Sequence, residues 1–403
     1  MNSLEAVAGP FRRVMFDAVN HYCEPEAAFF RYLDPVMSSS LRARHELAAN
    51  IRPGAGQPPF LAFGGTVGGT SNGWPVSRNG VPTAARRAGA VPASHWSREA
   101  RMDLMNAQGI ERAWFFPMVA TTWEDRLRAD PEYCARLFAA FNRWLEEDWG
   151  FAYQDRIFAA PYISLADPTH AVDMLKWCLT HDARVVMIRP TAAWTRHGVL
   201  SPTSPQFDGL WGLAQESGVT VAVHAGEAGY MRHGYATVDV PHGTPDSEQL
   251  IWSYLHEERP IFDFLAAALI DRLFERFPGL RLASVENGSR FLPHLISKVT
   301  TVRDNHASRF SEDPIDLLRQ HVWVVPHWHD DINEVVELLG AGHVLFGSGW
   351  PLPGGPDSPS DYVGELAHLP SDEQTAILHG NADLLNQRMP RWAVLGHQHS
   401  TAT

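Results

Sequence analysis

Residues 183–189 read ARVVMIR, residues 205–216 read PQFDGLWGLAQE, and residues 219–224 read VTVAVH. The first and last runs are almost continuously apolar. Such runs fit strands buried on both faces of a parallel sheet. The middle run starts at proline and carries apolar residues at helical spacing. Strand, helix and strand in this order read as one βαβ unit.

The same alternation returns on both sides. Further strand candidates are 13–19 (RVMFDAV), 110–117 (IERAWFFP), 156–163 (RIFAAPYI), 280–286 (LRLASVE), 321–326 (HVWVVP) and 343–348 (HVLFGS). Helical patterns lie at 131–148, 168–180, 258–277, 289–306 and 330–339. Eight strand candidates with helices between them predict one α/β domain over residues 1–403, a (β/α)8 TIM-like barrel. A doubly wound open sheet is the runner-up, but no GxGxxG follows the first strand.

Two segments interrupt the pattern. Residues 50–95 are rich in Gly, Pro and Ser, and residues 227–258 are polar with several histidines. In a barrel both are long βα loops on the catalytic face, so they read as lids over a pocket. Residues 371–403 read as a C-terminal helical tail. Of the 14 tryptophans, Trp328, Trp350 and Trp252 fall near the predicted mouth, where aromatic walls suit a flat substrate. Trp144 and Trp211 fall on helices and suit the core or a dimer face.

Composition narrows the function classes. The 403 residues are 45% hydrophobic and carry a net charge of -13, which disfavours nucleic acid and anionic membranes as partners. Cys23, Cys134 and Cys178 are odd in number and far apart, so a disulfide framework or thiolate zinc site is not expected. No apolar stretch of about 18 residues offers a membrane span. The N-terminus does not read as a signal peptide, and the cytoplasm is the expected compartment.

In a barrel the strand C-termini aim residues at the active site. Those positions hold Asp17 and His21 (strand one), Arg189 (four), His224 (five), Glu286 and Asn287 (six), and His327 and His329 (seven). His21 and His224 suit general acid–base work near neutral pH. Glu286 suits orienting one of them or acting as a base. Arg189 suits a substrate carboxylate or phenolate, and Asn287 a developing oxyanion. Each has a plainer alternative: satisfied core histidines, a glutamate positioning a helix, an arginine paired with a barrel carboxylate. Asp17 reads as support for the strand-one turn. FGSGW around Ser348 is not a nucleophile elbow.

The ordered set FDAVNHYCEP, RIFAAPYISLADP, VVMIRP, VAVHAGE, RFPGLRLASVENGSRFLP, HVLFGSGWP and GNADLL resembles the amidohydrolase superfamily. The likeness is to its amidohydrolase-2 branch, with aminocarboxymuconate semialdehyde decarboxylase and dihydroxybenzoate decarboxylases. It runs through nearly the whole chain. It implies a (β/α)8 barrel, one divalent metal such as zinc, and lyase or hydrolase chemistry on small, often aromatic, carboxylates. It also implies a homodimer.

The resemblance places metal ligands on strands one, five and eight. The strand-one pair, an acid or His, one spacer and then a His, reads Val19, Asn20 and His21 here. Strand five supplies His224. The strand-eight motif, like GSDWPH followed by Glu-Gly, reads GSGWPLPGG, with Gly349 at the acid position and Leu352 at the histidine. His21 and His224 alone make a poor site, since a transition metal needs three or four N, O or S ligands. The metal site reads as degenerate, and no metal or other cofactor is expected. The alternative is a metal-dependent decarboxylase or hydrolase with a relocated site using Glu24, His327, His329 or Glu286 beside His21 and His224.

The expected function is therefore metal-independent His/Glu acid–base chemistry on an aromatic or polyketide-like carboxylate or carbonyl. Decarboxylation, C–C cleavage, cyclisation and hydrolysis all stay open, in a setting of specialised metabolism. A third reading is a non-catalytic binding protein on a dead barrel. The expected partner is a small-molecule substrate, contacted by Asn287, Glu24, Trp328, Trp350 and Trp252.

Overall fold

The structure is a computed structural model describing residues 14–25, 27–40, 92–118, 120–122, 124, 127–226, 258–351, 358–359 and 361–389. The expectations for residues 50–91, for 227–257 with Trp252, for Leu352 and for the tail beyond 389 lie outside the described residues.

The strands of the described residues are β1 (Met15–Tyr22), β2 (Ile110–Pro117), β3 (Ile157–Ala159), β4 (Val185–Ile188), β5 (Ala193–Thr195), β6 (Gly198–Leu200), β7 (Thr220–His224), β8 (Leu282–Val285) and β9 (Val322–Val324). β1, β2 and β3 pair in parallel, as do β4, β7, β8 and β9. All eight residues of β1 are buried, its polar Asp17, Asn20 and His21 included. β5 and β6 form a small antiparallel hairpin absent from the sequence reading. Its strands are three residues each and half of their residues are exposed, so they carry no clear burial signal.

Backbone hydrogen bonds extend past both parallel sheets. The run 156–163 forms a strand only at Ile157–Ala159, and Pro161 within it has no N–H to give a ladder. Pairing resumes toward β4, where Ile163 N donates to Met187 O (2.8 Å) and Met187 N to Pro161 O (2.9 Å). The run 343–348 is likewise no regular strand. Leu345 N donates to Val324 O of β9, while Ala18 N of β1 donates to Phe346 O. Further along, Gly349 N donates to Val19 O and His21 N to Trp350 O. Gly349 has φ +65, a left-handed backbone that departs from the extended form.

Helices follow the strands. Pro131–Asp148, Pro168–Thr180 and Pro314–His321 each start at proline behind an aspartate cap, Asp130, Asp167 or Asp313. Such caps each contribute about 1 kcal/mol. The pattern at 258–277 resolves into Arg259–Ile270 and Leu273–Arg276, separated at Arg272 with φ +59. Trp144 and Trp211 are buried in the core. The tail segment 371–385 is helical, and Trp114 Nε1 donates to Asn386 Oδ1 just beyond it.

Candidate active site

β1 delivers His21 and β7 delivers His224, both at their C-terminal ends. Glu286 follows β8 and adopts φ +57, a conformation a non-glycine residue rarely holds without reason. These three converge. His21 Nε2 and Glu286 Oε1 are 2.7 Å apart, and His224 Nε2 lies 3.5 Å from Glu286 Oε2. The imidazoles meet edge to face at 5.5 Å, and Phe116 packs against His224 at 4.9 Å.

The two histidines differ in charge. Burial works against the cation on His21, but the Glu286 charge and hydrogen bond outweigh it and raise its pKa. Burial pushes His224 down to about 4, and the neighbouring His21 adds to that, with Glu286 offsetting only part. Burial alone would raise Glu286, yet its contact with His21, helped by His224 and His327, brings it down to about 2. The trio thus sets an imidazole whose cation is favoured and an imidazole held neutral on one ionised carboxylate.

The tautomer of His224 follows from its partners. Its Nδ1 sits 2.7 Å from Ala225 O, which can only accept, so Nδ1 carries the proton. Nε2 is then a lone pair, buried and with no hydrogen-bond partner among the described residues. It faces a carboxylate oxygen, so two acceptors look at each other across 3.5 Å. A donor hydrogen or a cation belongs between them.

The remaining predicted residues fall in several places. Arg189 is buried, and its Nε donates to Glu124 Oε2 at 2.8 Å. Glu24 accepts from the backbone N–H groups of Met118 and Ala120, holding the chain after β2. Asn287 donates to Val223 O and Val285 O, tying β7 to β8, and its Oδ1 is the atom left over. His327 lies close to Gly288 and Glu286. His329 is exposed. The two do not share a face, because β9 ends at Val324 and the two-residue period ends with it. Trp328 packs on Tyr362 (5.8 Å), and Trp350 on His95 (4.6 Å). Cys23 is buried, and its thiol is pushed up to about 12, which removes it as a nucleophile.

Asp17 is the bracket its position suggests. Its carboxylate accepts from Val19 N, Asn20 Nδ2, Ser348 N and Ser348 Oγ. Val19 fills the space beside Gly347, where a Cβ would come within 2.8 Å of Val19 Cγ2. At Gly349, by contrast, a Cβ would meet nothing within 4 Å among the described residues.

Sequence reasoning missed Arg101. It lies on the helix Arg98–Gln108 and is 1% exposed. Its Nε donates to Ser94 O (2.6 Å), one terminal nitrogen to Asn20 Oδ1, and the other to His21 O (2.9 Å). Its guanidinium stacks 3.8 Å from the Trp350 ring. The available signal was spacing: Arg101 and Met105, four residues apart, share the buried stripe of this helix.

Comparison with known proteins places this arrangement. Residues 67–384 match the family described as Amidohydrolase. The chain belongs to that family. It is thus an enzyme of the amidohydrolase superfamily, in the branch that the sequence motifs indicate.

Among solved structures, this amidohydrolase is similar to one from Mycobacterium avium subsp. paratuberculosis K-10. The two share 28% identity with a TM-score of 0.77, over 94% of this chain and 99% of that one. It shares the fold of 5-carboxyvanillate decarboxylase from Sphingomonas paucimobilis, with 16% identity, a TM-score of 0.61, and 93% and 99% of the two chains covered. It also shares the fold of a dihydroxybenzoic acid decarboxylase from Polaromonas sp. JS666 with bound manganese and 2-nitroresorcinol. Identity there is 14%, the TM-score 0.57, and coverage 93% and 97%. No curated protein matches the chain. Among the described residues of this amidohydrolase, no helix is long and apolar enough to cross a membrane.

The family implies a divalent metal, and the trio can be tested against one. One donor atom each from His21, His224 and Glu286 lies within 4.8 Å of the others. Two imidazoles and one carboxylate form a known three-ligand set for catalytic zinc. The orphaned His224 lone pair facing Glu286 fits a cation as well as a proton. The residues therefore suit a divalent ion. They do so through Glu286, because Val19 and Gly349 offer no donor side chain.

Proposed function

We propose that this amidohydrolase performs acid–base chemistry on an aromatic or polyketide-like carboxylate or carbonyl substrate, with His21 as the acid and His224 as the base. One observation carries this reading: a single carboxylate, Glu286, contacts two histidines whose pKa values are displaced in opposite directions. Titratable neighbours pushed apart in this way mark acid and base assignments. His224 Nε2 takes a proton from the substrate. His21 delivers one to the carbon or oxygen where charge has been released. Glu286 stays ionised throughout and balances whichever imidazolium is present.

The substrate seat is supported by Phe116 beside His224 and by Trp350 beside His95, near the end of β1. Decarboxylation is the first reaction to test, ahead of C–C cleavage, cyclisation and hydrolysis, because two similar folds belong to decarboxylases of aromatic acids. The hydrogen bonds from residues 161–163 to β4, and from 345–350 to β9 and β1, support a closed (β/α)8 barrel around this site.

A second reading keeps the trio and adds a divalent metal held by His21, His224 and Glu286. The lone pair of His224 facing Glu286 favours it. The ion, when bound, would polarise a substrate oxygen or activate water.

The two readings part in one experiment. Protein purified without chelator or nickel is analysed by elemental mass spectrometry and assayed for turnover of dihydroxybenzoates and carboxyvanillate. Metal-free protein that turns over supports acid–base chemistry alone. Turnover that tracks one manganese or zinc per chain, and stops on chelation, supports the second reading. Unchanged turnover in His21→Gln and His224→Gln would sink both.

A further inference from the structure

Arg101 is a buried cation. Among the described residues no carboxylate touches it. Asp17 connects to it through Asn20, whose Oδ1 accepts from Arg101 and whose Nδ2 donates to Asp17 Oδ2 at 2.8 Å. A buried charge without a counterion in contact costs several kcal/mol, and an apolar side chain of similar volume would avoid that cost. Stability alone does not explain an arginine here. Arg189 makes the contrast, since it has Glu124.

The contacts of Arg101 all lead to one place. One terminal nitrogen holds the carbonyl of His21, while the backbone N–H of His21 donates to Trp350 O at 2.8 Å. Both backbone polar groups of His21 are therefore fixed, and with them the direction of its imidazole toward Glu286. The guanidinium face lies on the Trp350 ring, so the same group sets that indole. Nε reaches Ser94 O, and the neighbouring His95 O accepts from Cys23 N at 2.8 Å. Residues 94 and 95 are thereby fastened to the chain just beyond His21. A planar fork with donors on three edges and a stacking face can make these contacts together, whereas an ammonium cannot.

We propose that Arg101 is a positioning residue that aims His21 at Glu286 and sets Trp350 beside it. The proposal rests on the acid–base reading of His21, and its test does not need a substrate. The His21–Glu286 hydrogen bond gives a low-field imidazole N–H proton signal in NMR spectra, assigned by its loss in His21→Gln. Arg101→Lys keeps the charge and loses the fork, and the expected result is loss of that signal while near-UV circular dichroism stays native. Asn20→Ala removes one anchor of the fork and leaves Arg101 in place, and the expected result is a shifted or weakened signal. If Arg101→Lys does not fold, Asn20→Ala decides by the same criterion. An unchanged signal in the folded variants overturns the positioning role alone. A wild type without the signal removes the His21–Glu286 bond, and the positioning role and the acid–base reading of His21 fall together.

Discussion

Glu286 and Glu124 are both carboxylates with buried partners, and they are used in opposite ways. Glu124 is saturated: it accepts from Tyr162 Oη, Ser164 Oγ, Leu165 N and Arg189 Nε, all at 3.1 Å or less. Glu286 has one short contact, to His21, and a longer approach to His224. Its backbone is held at φ +57 and its side chain is 21% exposed. A carboxylate whose lone pairs are all occupied is part of the scaffold. One held in a strained position with an oxygen still turned toward a bare lone pair has capacity left for a reactant.

The contrast is sharpest in Glu286→Gln. Turnover should fall by roughly 10²–10⁴, the usual size of a general acid–base contribution, with the melting temperature little changed. Loss of stability without loss of turnover would erase the distinction between the two carboxylates. Glu124→Gln should do the reverse. It leaves Arg189 buried without its counterion and should cost on the order of 3–5 kcal/mol, read by denaturant unfolding.

The pH dependence separates the histidines. His224 is held down near 4 against an ordinary 6.5, so the unfolded chain takes up its proton first. Its contribution is complete above about pH 6.5 and is lost as pH falls toward 4. That loss is about 3 kcal/mol, and His224→Gln should flatten the stability curve across this range. His21 has the opposite sign, being raised: its contribution is complete below about pH 6.5 and fades once pH passes its folded pKa. Turnover should accordingly rise with the deprotonation of His224 and fall with that of His21.

The smallest effect tests the vacant acid position. Gly349→Asp places a carboxyl where a Cβ meets nothing within 4 Å, at a φ that aspartate tolerates better than most residues. Affinity for Mn²⁺, measured by calorimetry, should tighten by roughly tenfold or more, the scale on which ligand-shell changes act. No change would show that the metal-facing side of the trio does not look toward residue 349.

Much of the fold is legible because burial on both faces writes itself as nearly continuous apolar runs, as in β4 and β7. The run at 156–163 shows where that fails, since apolarity cannot tell a strand from an extended stretch interrupted by Pro161. The β5–β6 hairpin has no apolar signature, and the segment after His343 is bonded on both sides without regular geometry. His21, His224 and Glu286 were legible by their places at strand ends. That both imidazoles address one carboxylate was not, because this depends on the left-handed backbone at Glu286. Arg189 could be located but not its partner, as Glu124 lies 65 residues earlier. Arg101 was hidden because an arginine on a helix ordinarily belongs to water.

The Asp17 bracket has a consequence for how the protein comes into being. It joins residues 331 positions apart, and the backbone partners of His21 come from Trp350 and Arg101. Contacts of such sequence separation form slowly, since a long loop must close before they bring any gain. During synthesis, β1 emerges early and waits for nearly the entire chain before residues 346–350 can reach it. Until then its eight buried residues have β2 as a neighbour on one edge and an open edge on the other, the kind of surface on which chaperones act. The geometry around His21 is thus among the last things this polypeptide acquires, and a nascent or truncated chain ending before that seam should carry none of it.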